Sequence, residues 1–134
     1  MNKVTWVLQI LLALAFAGAG GMKLTTPKTE LVKNPAMGWA NDFSDGQIKA
    51  IGAAEVAGGI GLVAPAALGI VPVLTPLAAA GLALLMGGAV MTHVQRSEPS
   101  GPAIVLCLLS AVVAYLRFRS NPAPSAAKSR AAGA

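Results

Sequence analysis

Long apolar runs alternate with short polar stretches along this chain, and four of the runs are long enough to cross a bilayer. The first, from Val4 to Met22, is 19 residues without a charge. A hydrocarbon core of about 30 Å requires about 20 apolar residues in an α-helix. The pattern therefore predicts an all-α protein, a bundle of four transmembrane helices at about residues 4–22, 45–67, 76–94 and 102–118, in one domain over residues 1–119.

The first apolar run also has features of a cleavable signal peptide. Lys3 precedes it, and Ala15 to Ala17 provides a cleavage site of small residues. Three further spans follow, however, and the apolar run continues beyond this site. We therefore expect the first helix to be retained.

The stretch at about residues 24–43 is too polar to cross the membrane and too apolar to float free of it. Its apolar residues include Leu31, Met37, Trp39 and Phe43, and charged residues such as Lys28 and Asp42 lie between them. This mixture predicts an interfacial segment. Two interpretations remain open, an ordered surface loop anchored by Trp39 and a lid over a site. Residues 120–134 lack large apolar side chains and are predicted to form a disordered basic tail.

Glu55 is the one carboxylate between Ile48 and Ala64, near the middle of the second predicted span. Its helix begins with Ser44 and Gln47, which have the spacing of a capping box. An ionised carboxylate at membrane depth is costly unless it is paired or faces a polar cavity. Glu55 therefore either pairs with Lys23 or Arg96 and fixes the helix register, or it handles a ligand or a proton.

Polar residues from all four predicted helices fall in one half of the bilayer, because the helices alternate in direction. At 1.5 Å per residue, Glu55 is about 10 Å below Ile48, and Cys107 is about 8 Å below Pro102. This half also contains Lys49. The sequence thus predicts a polar pocket with Lys23, Glu55, His93 and Arg96 as candidate ligand-binding residues, and with Glu55 as the candidate catalytic acid or base.

Each polar residue also has a simpler interpretation. His93 stands at a helix end and suits a cap or interface group, Lys23 and Lys49 can extend to the interface, and Cys107 suits helix packing. One His with one Glu is too few for a metal site, so none is predicted. No motif indicates a cofactor, which stays unknown, and a single cysteine excludes an internal disulfide.

Composition supports a membrane location, because 55% of the residues are apolar and only 11% are charged. The formal charge of +5 does not indicate a nucleic-acid partner, since the basic residues are scattered and few aromatic residues lie among them. The side that carries both chain ends, here called the terminal side, has Lys3, Arg117, Arg119, Lys128 and Arg130; the opposite side has Lys23, Lys28, Lys33, Lys49 and Arg96. From this near tie we choose the plasma (inner) membrane with both termini in the cytoplasm.

Four short motifs occur in a recognisable order. They are G-G-M-K-L at Gly20 to Leu24, I-G-A-A-E-V-A-G-G-I-G-L-V-A-P at Ile51 to Pro65, H-V-Q-R-S-E at His93 to Glu98, and Y-L-R-F at Tyr115 to Phe118. Together they resemble the DoxX-like family of small four-helix membrane proteins over about residues 4–118. In that family the fourth helix often carries an Asn near the position of Cys107, and a glycine often stands where this chain has Leu116.

The resemblance implies a four-helix bundle and an integral membrane location. It implies little about chemistry, because the family takes its name from a subunit of a thiosulfate:quinone oxidoreductase complex but most members have no assigned activity. Two functions follow as alternatives. The first is a non-catalytic membrane subunit or scaffold of a redox system, with a protein partner or a second copy of the chain. The second is a site for a quinone or another apolar compound, with acid or base chemistry at Glu55. The chain has no cysteine pair or cofactor motif to pass electrons by itself.

Overall fold

The computed structural model describes residues 3–120 and consists there of helices and their connections. In chain order these are α1 (Lys3–Thr25), the short α2 (Lys28–Leu31), a 3₁₀ helix (Pro35–Asp42), α3 (Asp45–Leu68), α4 (Leu74–Gln95) and α5 (Gly101–Ser120). Four of them, α1, α3, α4 and α5, are long and apolar enough to cross a membrane. The predicted all-α class with four such helices is confirmed. The predicted tail after Ser120 lies outside the described residues.

Helix α3 has well-defined caps at both ends. At its start the Ser44 hydroxyl accepts from the amide of Gln47 at 3.1 Å, and the Gln47 side chain accepts from the amide of Ser44 at 2.9 Å. This is the predicted capping box. Pro65 does not stop the helix, which ends at Gly69 with φ of 67°. Glycine adopts this left-handed conformation without the steric cost of a side chain.

Two helix ends differ from the predicted positions for local reasons. Helix α1 continues past residue 22 to Thr25, because the Lys49 ammonium caps it by donating to the carbonyls of Lys23, Leu24 and Thr26 at 2.9 to 3.2 Å. Helix α4 begins at Leu74 instead of residue 76. A turn precedes it, in which the carbonyl oxygen of Pro72 accepts from the amide of Thr75 at 3.2 Å.

The helices pack in the order α1, α3, α4, α5, and α1 contacts α5 least of all neighbouring pairs. The tightest approach joins α1 and α3, where a Cβ added at Gly20 would lie 2.5 Å from the carbonyl oxygen of Gly52. Helix α4 also packs closely against small residues of α3, since a Cβ at Gly58 would lie 2.6 Å from Leu82. Backbones that approach this closely fix the rotation and height of each helix.

The outer surface of the bundle is apolar, as a lipid-facing surface must be. A buried core includes Leu12, Phe16, Leu62 and Val113. Large apolar side chains also point outward, and Leu84 is 79% exposed. Such a surface is stable only when hydrocarbon replaces water around it.

Candidate functional site

A buried ion pair lies where α1 meets α3. Lys23 Nζ is 2.7 Å from Glu55 Oε1, and both side chains are buried. Each residue stands three positions after a glycine of the Gly20 and Gly52 contact, so it shares a helix face with that glycine. The close backbone approach therefore sets the lysine beside the glutamate.

The geometry of this pair leaves part of the carboxylate available. The ammonium approaches Oε1 closely, yet outside the angles of a good hydrogen bond, and no other side chain of residues 3–120 donates to that oxygen. A buried acceptor without a well-aligned donor is costly, and buried polar groups normally find a partner. Glu55 can therefore accept a hydrogen bond from a bound molecule.

Residues 35–43, here called the cover, lie over the ion pair. The Trp39 ring centroid is 5.8 Å from Lys23 Nζ, which is within reach of a cation–π contact. Trp39 meets Phe43 edge to face, with ring centroids 5.7 Å apart. Met37 is buried beside Leu31 and anchors the cover. The segment thus packs over the ion pair, and its function as a lid stays a prediction.

A polar network joins the cover to the end of α4 and the turn between α4 and α5. Arg96 Nη1 donates to Asp42 Oδ2 at 2.6 Å, and its Nε donates to Glu98. His93 Nδ1 is 3.0 Å from the second oxygen of Glu98. Hydrogen bonds from Arg96 and then His93 hold the pKa of the Glu98 carboxyl below its usual range. The hydrogen bonds that Arg96 donates to Asp42 and Glu98 raise the pKa of its own guanidinium. We call these four residues the latch.

Under the cover is a pocket of about 390 Å³, lined by residues of α1, α3, α4 and α5. Its walls are mainly apolar, with Leu85, Met86 and Ala89 from α4 and Ala103 and Leu106 from α5. The lining includes few polar side chains, which are Lys23, Glu55, Thr92 and His93. A mostly apolar cavity with a few convergent polar groups is typical of a small-molecule site.

The structure brings together three of the four predicted site residues. Lys23, Glu55 and His93 line the pocket, whereas Arg96 lies outside it in the latch. Of the two cations predicted as partners of Glu55, Lys23 forms the ion pair. Arg96 pairs with Asp42 and Glu98 instead. Cys107 does not line the pocket; its thiol lies 3.3 Å from the carbonyl oxygen of Ala83. Within residues 3–120 no three acidic, His or Cys side chains are placed to hold a metal.

Sequence reasoning missed the partners within the latch. Asp42 and Arg96 are 54 positions apart, and no local pattern connects them. The motif H-V-Q-R-S-E did contain a signal, because it places His93, Arg96 and Glu98 within six residues of one another.

Sequence reasoning also missed a buried contact at the opposite end of the bundle, between Gln9 and Arg117.

The chain was compared with known proteins. The sequence model of the DoxX-like family matches residues 7–115. The chain belongs to the DoxX-like family. It is thus a multi-pass membrane protein, as the resemblance implied. No curated protein and no solved structure gives a significant match to this DoxX-like chain.

Proposed function

We propose that this DoxX-like protein is a membrane subunit that binds a small, mostly apolar molecule with a carbonyl or hydroxyl group, of the quinone type. The observation that carries the proposal is the covered pocket of about 390 Å³ with the Lys23 and Glu55 pair at one end. Ligand pockets of roughly 300 Å³ and above accommodate a substituted ring. The apolar walls suit a compound that arrives from the bilayer.

The ion pair suits both forms of a quinone. The Lys23 ammonium is a donor for a carbonyl oxygen of the oxidised form, and Glu55 is an acceptor for a hydroxyl of the reduced form. His93 lines the same pocket, and an imidazole nitrogen can donate or accept a hydrogen bond. Trp39 and Phe43 offer ring faces and edges to a planar ligand.

The electrons of any such reaction must come from a partner, because no sequence motif in this chain holds an electron carrier. The protein is therefore proposed as the quinone-binding or scaffolding member of a redox assembly, and not as a complete enzyme. In the competing scaffold function, the ion pair only locks α1 against α3 and the pocket holds lipid chains. These two functions differ in whether the pocket selects a defined molecule.

Fluorescence of Trp39 tests the selection directly. In a Trp6→Phe variant Trp39 is the remaining tryptophan, and a quinone bound under the cover should quench it with a saturable curve. Glu55→Gln in that background should weaken the affinity for a short-chain quinone at least tenfold, or about 1.4 kcal/mol. Glu30→Gln, the same change in an exposed pair with Lys33, serves as the matched control. Unsaturable quenching, or equal affinity in both variants, would remove the quinone proposal.

We also propose the plasma membrane with cytoplasmic termini. Five basic residues flank each side in the sequence. On the side away from the termini, Lys23, Lys33 and Arg96 are each neutralised by an acid in the structure. A C-terminal fluorescent protein that folds only in the cytoplasm should be bright, and a dark fusion at normal expression would reverse the orientation.

A further inference from the structure

A second polar contact lies at the terminal side of the bundle, at the end opposite the covered pocket. Arg117, near the end of α5, is only 5% exposed. Its Nε donates to the side-chain oxygen of Gln9 at 2.5 Å, and its guanidinium carbon lies 4.9 Å from the ring centroid of Trp6. The amide nitrogen of Gln9 in turn donates to the carbonyl of Leu62 at 2.5 Å. This second bond fixes the Gln9 oxygen as the acceptor for Arg117.

The guanidinium is nevertheless incompletely satisfied. Its Nη2 is buried and has no hydrogen-bond acceptor among residues 3–120. Guanidinium groups remain protonated in proteins and prefer an anion that accepts two parallel hydrogen bonds. A neutral amide and an aromatic ring provide neither a counter-charge nor an acceptor for Nη2.

The sequence supplies no carboxylate side chain near this end. All five acidic residues are accounted for elsewhere, because four lie on the side away from the termini and the fifth, Glu55, is paired with Lys23. The basic residues Lys3 and Arg119 are exposed at the same end as Arg117. The anion that Arg117 requires must therefore come from outside the acidic side chains of this chain.

We propose that Arg117 binds the phosphate group of an anionic phospholipid from the leaflet on the terminal side. Arg117 stands three residues before the end of α5, so its backbone lies near the level of the headgroups. Of the long helices that pack side by side, α1 and α5 make the fewest contacts, and the proposed route of the headgroup to the guanidinium is the seam between them. Exposed Lys3 and Arg119 attract the negative headgroup to this seam.

Trp6 is a built-in reporter for this site. In a Trp39→Phe variant it is the remaining tryptophan, and it touches the guanidinium. Protein in neutral detergent is titrated with short-chain phosphatidylglycerol, with diacylglycerol of the same chains, and with inorganic phosphate. We expect a saturable change with phosphatidylglycerol and none with diacylglycerol. An equal response to phosphate alone would reassign the site to a soluble anion and overturn the lipid proposal.

Variants separate a specific site from general attraction to a charged surface. Arg117→Gln should lose the saturable response, or weaken it at least tenfold, whereas Arg119→Gln, two residues away and exposed, should retain it. Native mass spectrometry should show one phosphatidylglycerol retained by the parent protein and by Arg119→Gln. If Arg117→Gln does not fold, the comparison of the two lipids on the parent protein still decides. Identical responses to both lipids would mean that Trp6 and Gln9 alone accommodate the charge.

Discussion

Removing one member of the buried pair while leaving the other is the most informative perturbation of this protein. In Glu55→Gln the Lys23 ammonium would remain buried at the interface of α1 and α3 without its carboxylate, 2.7 Å away in the parent. Breaking a buried ion pair from one side costs about 3 to 5 kcal/mol. Other polar side chains line the pocket beside this pair and partly compensate the unpaired ammonium. We therefore expect a cost near the lower limit, about 3 kcal/mol.

The double variant Lys23→Gln with Glu55→Gln should recover most of that loss, because two neutral amides replace two charges and can bond to each other. Exchanging a buried pair for neutral groups is often close to neutral in free energy. The coupling energy from the double-mutant cycle should therefore be at least about 2 kcal/mol. The exposed pair of Lys33 and Glu30, at 2.9 Å, is the matched control and should give a coupling below about 0.5 kcal/mol.

Thermal unfolding in detergent, followed by the helical circular dichroism signal, measures these differences. A loss of about 3 kcal/mol lowers Tm by roughly 10 °C for a chain of this size. If Glu55→Gln and the double variant unfold at the same temperature as the parent, the two charges do not depend on each other and the packing argument fails. An additive cycle at reduced stability would likewise show that the pair itself contributes nothing.

Further consequences concern backbone packing and the latch. Gly52→Ala should destabilise the protein by about 1 to 3 kcal/mol, because the new Cβ would lie 2.9 Å from the Gly20 carbonyl oxygen, while Gly18→Ala, with open space, should be neutral in the same unfolding assay. Arg96→Gln should release the cover, seen as faster hydrogen exchange at residues 35–43 with unchanged exchange in α3. Since the folded-state pKa of Glu98 lies below its ordinary 4.5, the latch should stay closed at neutral pH and open as pH falls through that lowered pKa. Protection of residues 35–43, corrected for the intrinsic exchange rate at each pH, that does not fall when the Glu98 carboxyl becomes protonated would contradict this.

The helices were predictable because one-dimensional features determine them. A span of uncharged residues, a capping box at Ser44 and a glycine after α3 act over a few positions. Depth in the bilayer was also predictable, since it follows from counting residues, and it placed Lys23, Glu55 and His93 at one level. This is why three of the four candidate residues line one pocket.

Rotation about the helix axes was not predictable in the same way. Whether Glu55 faces Lys23 or Arg96 depends on the contact between Gly20 and Gly52, which no local pattern reveals. The same limit applies to Arg117 and Gln9, which are separated by 108 positions. It also applies to the cover, whose anchoring depends on Arg96 reaching Asp42 across the bundle.

The charged residues of the site and most of its apolar wall come from different halves of the chain. Lys23, the cover and Glu55 belong to one continuous stretch of residues 23–55, whereas α4 and α5 contribute most of the apolar wall, including Leu85, Ala89 and Leu106. Substitutions in the wall can therefore remodel the cavity without disturbing the ion pair or the segment above it. A lineage could change the compound it accommodates through α4 and α5 while inheriting the same polar chemistry from the first half of the chain.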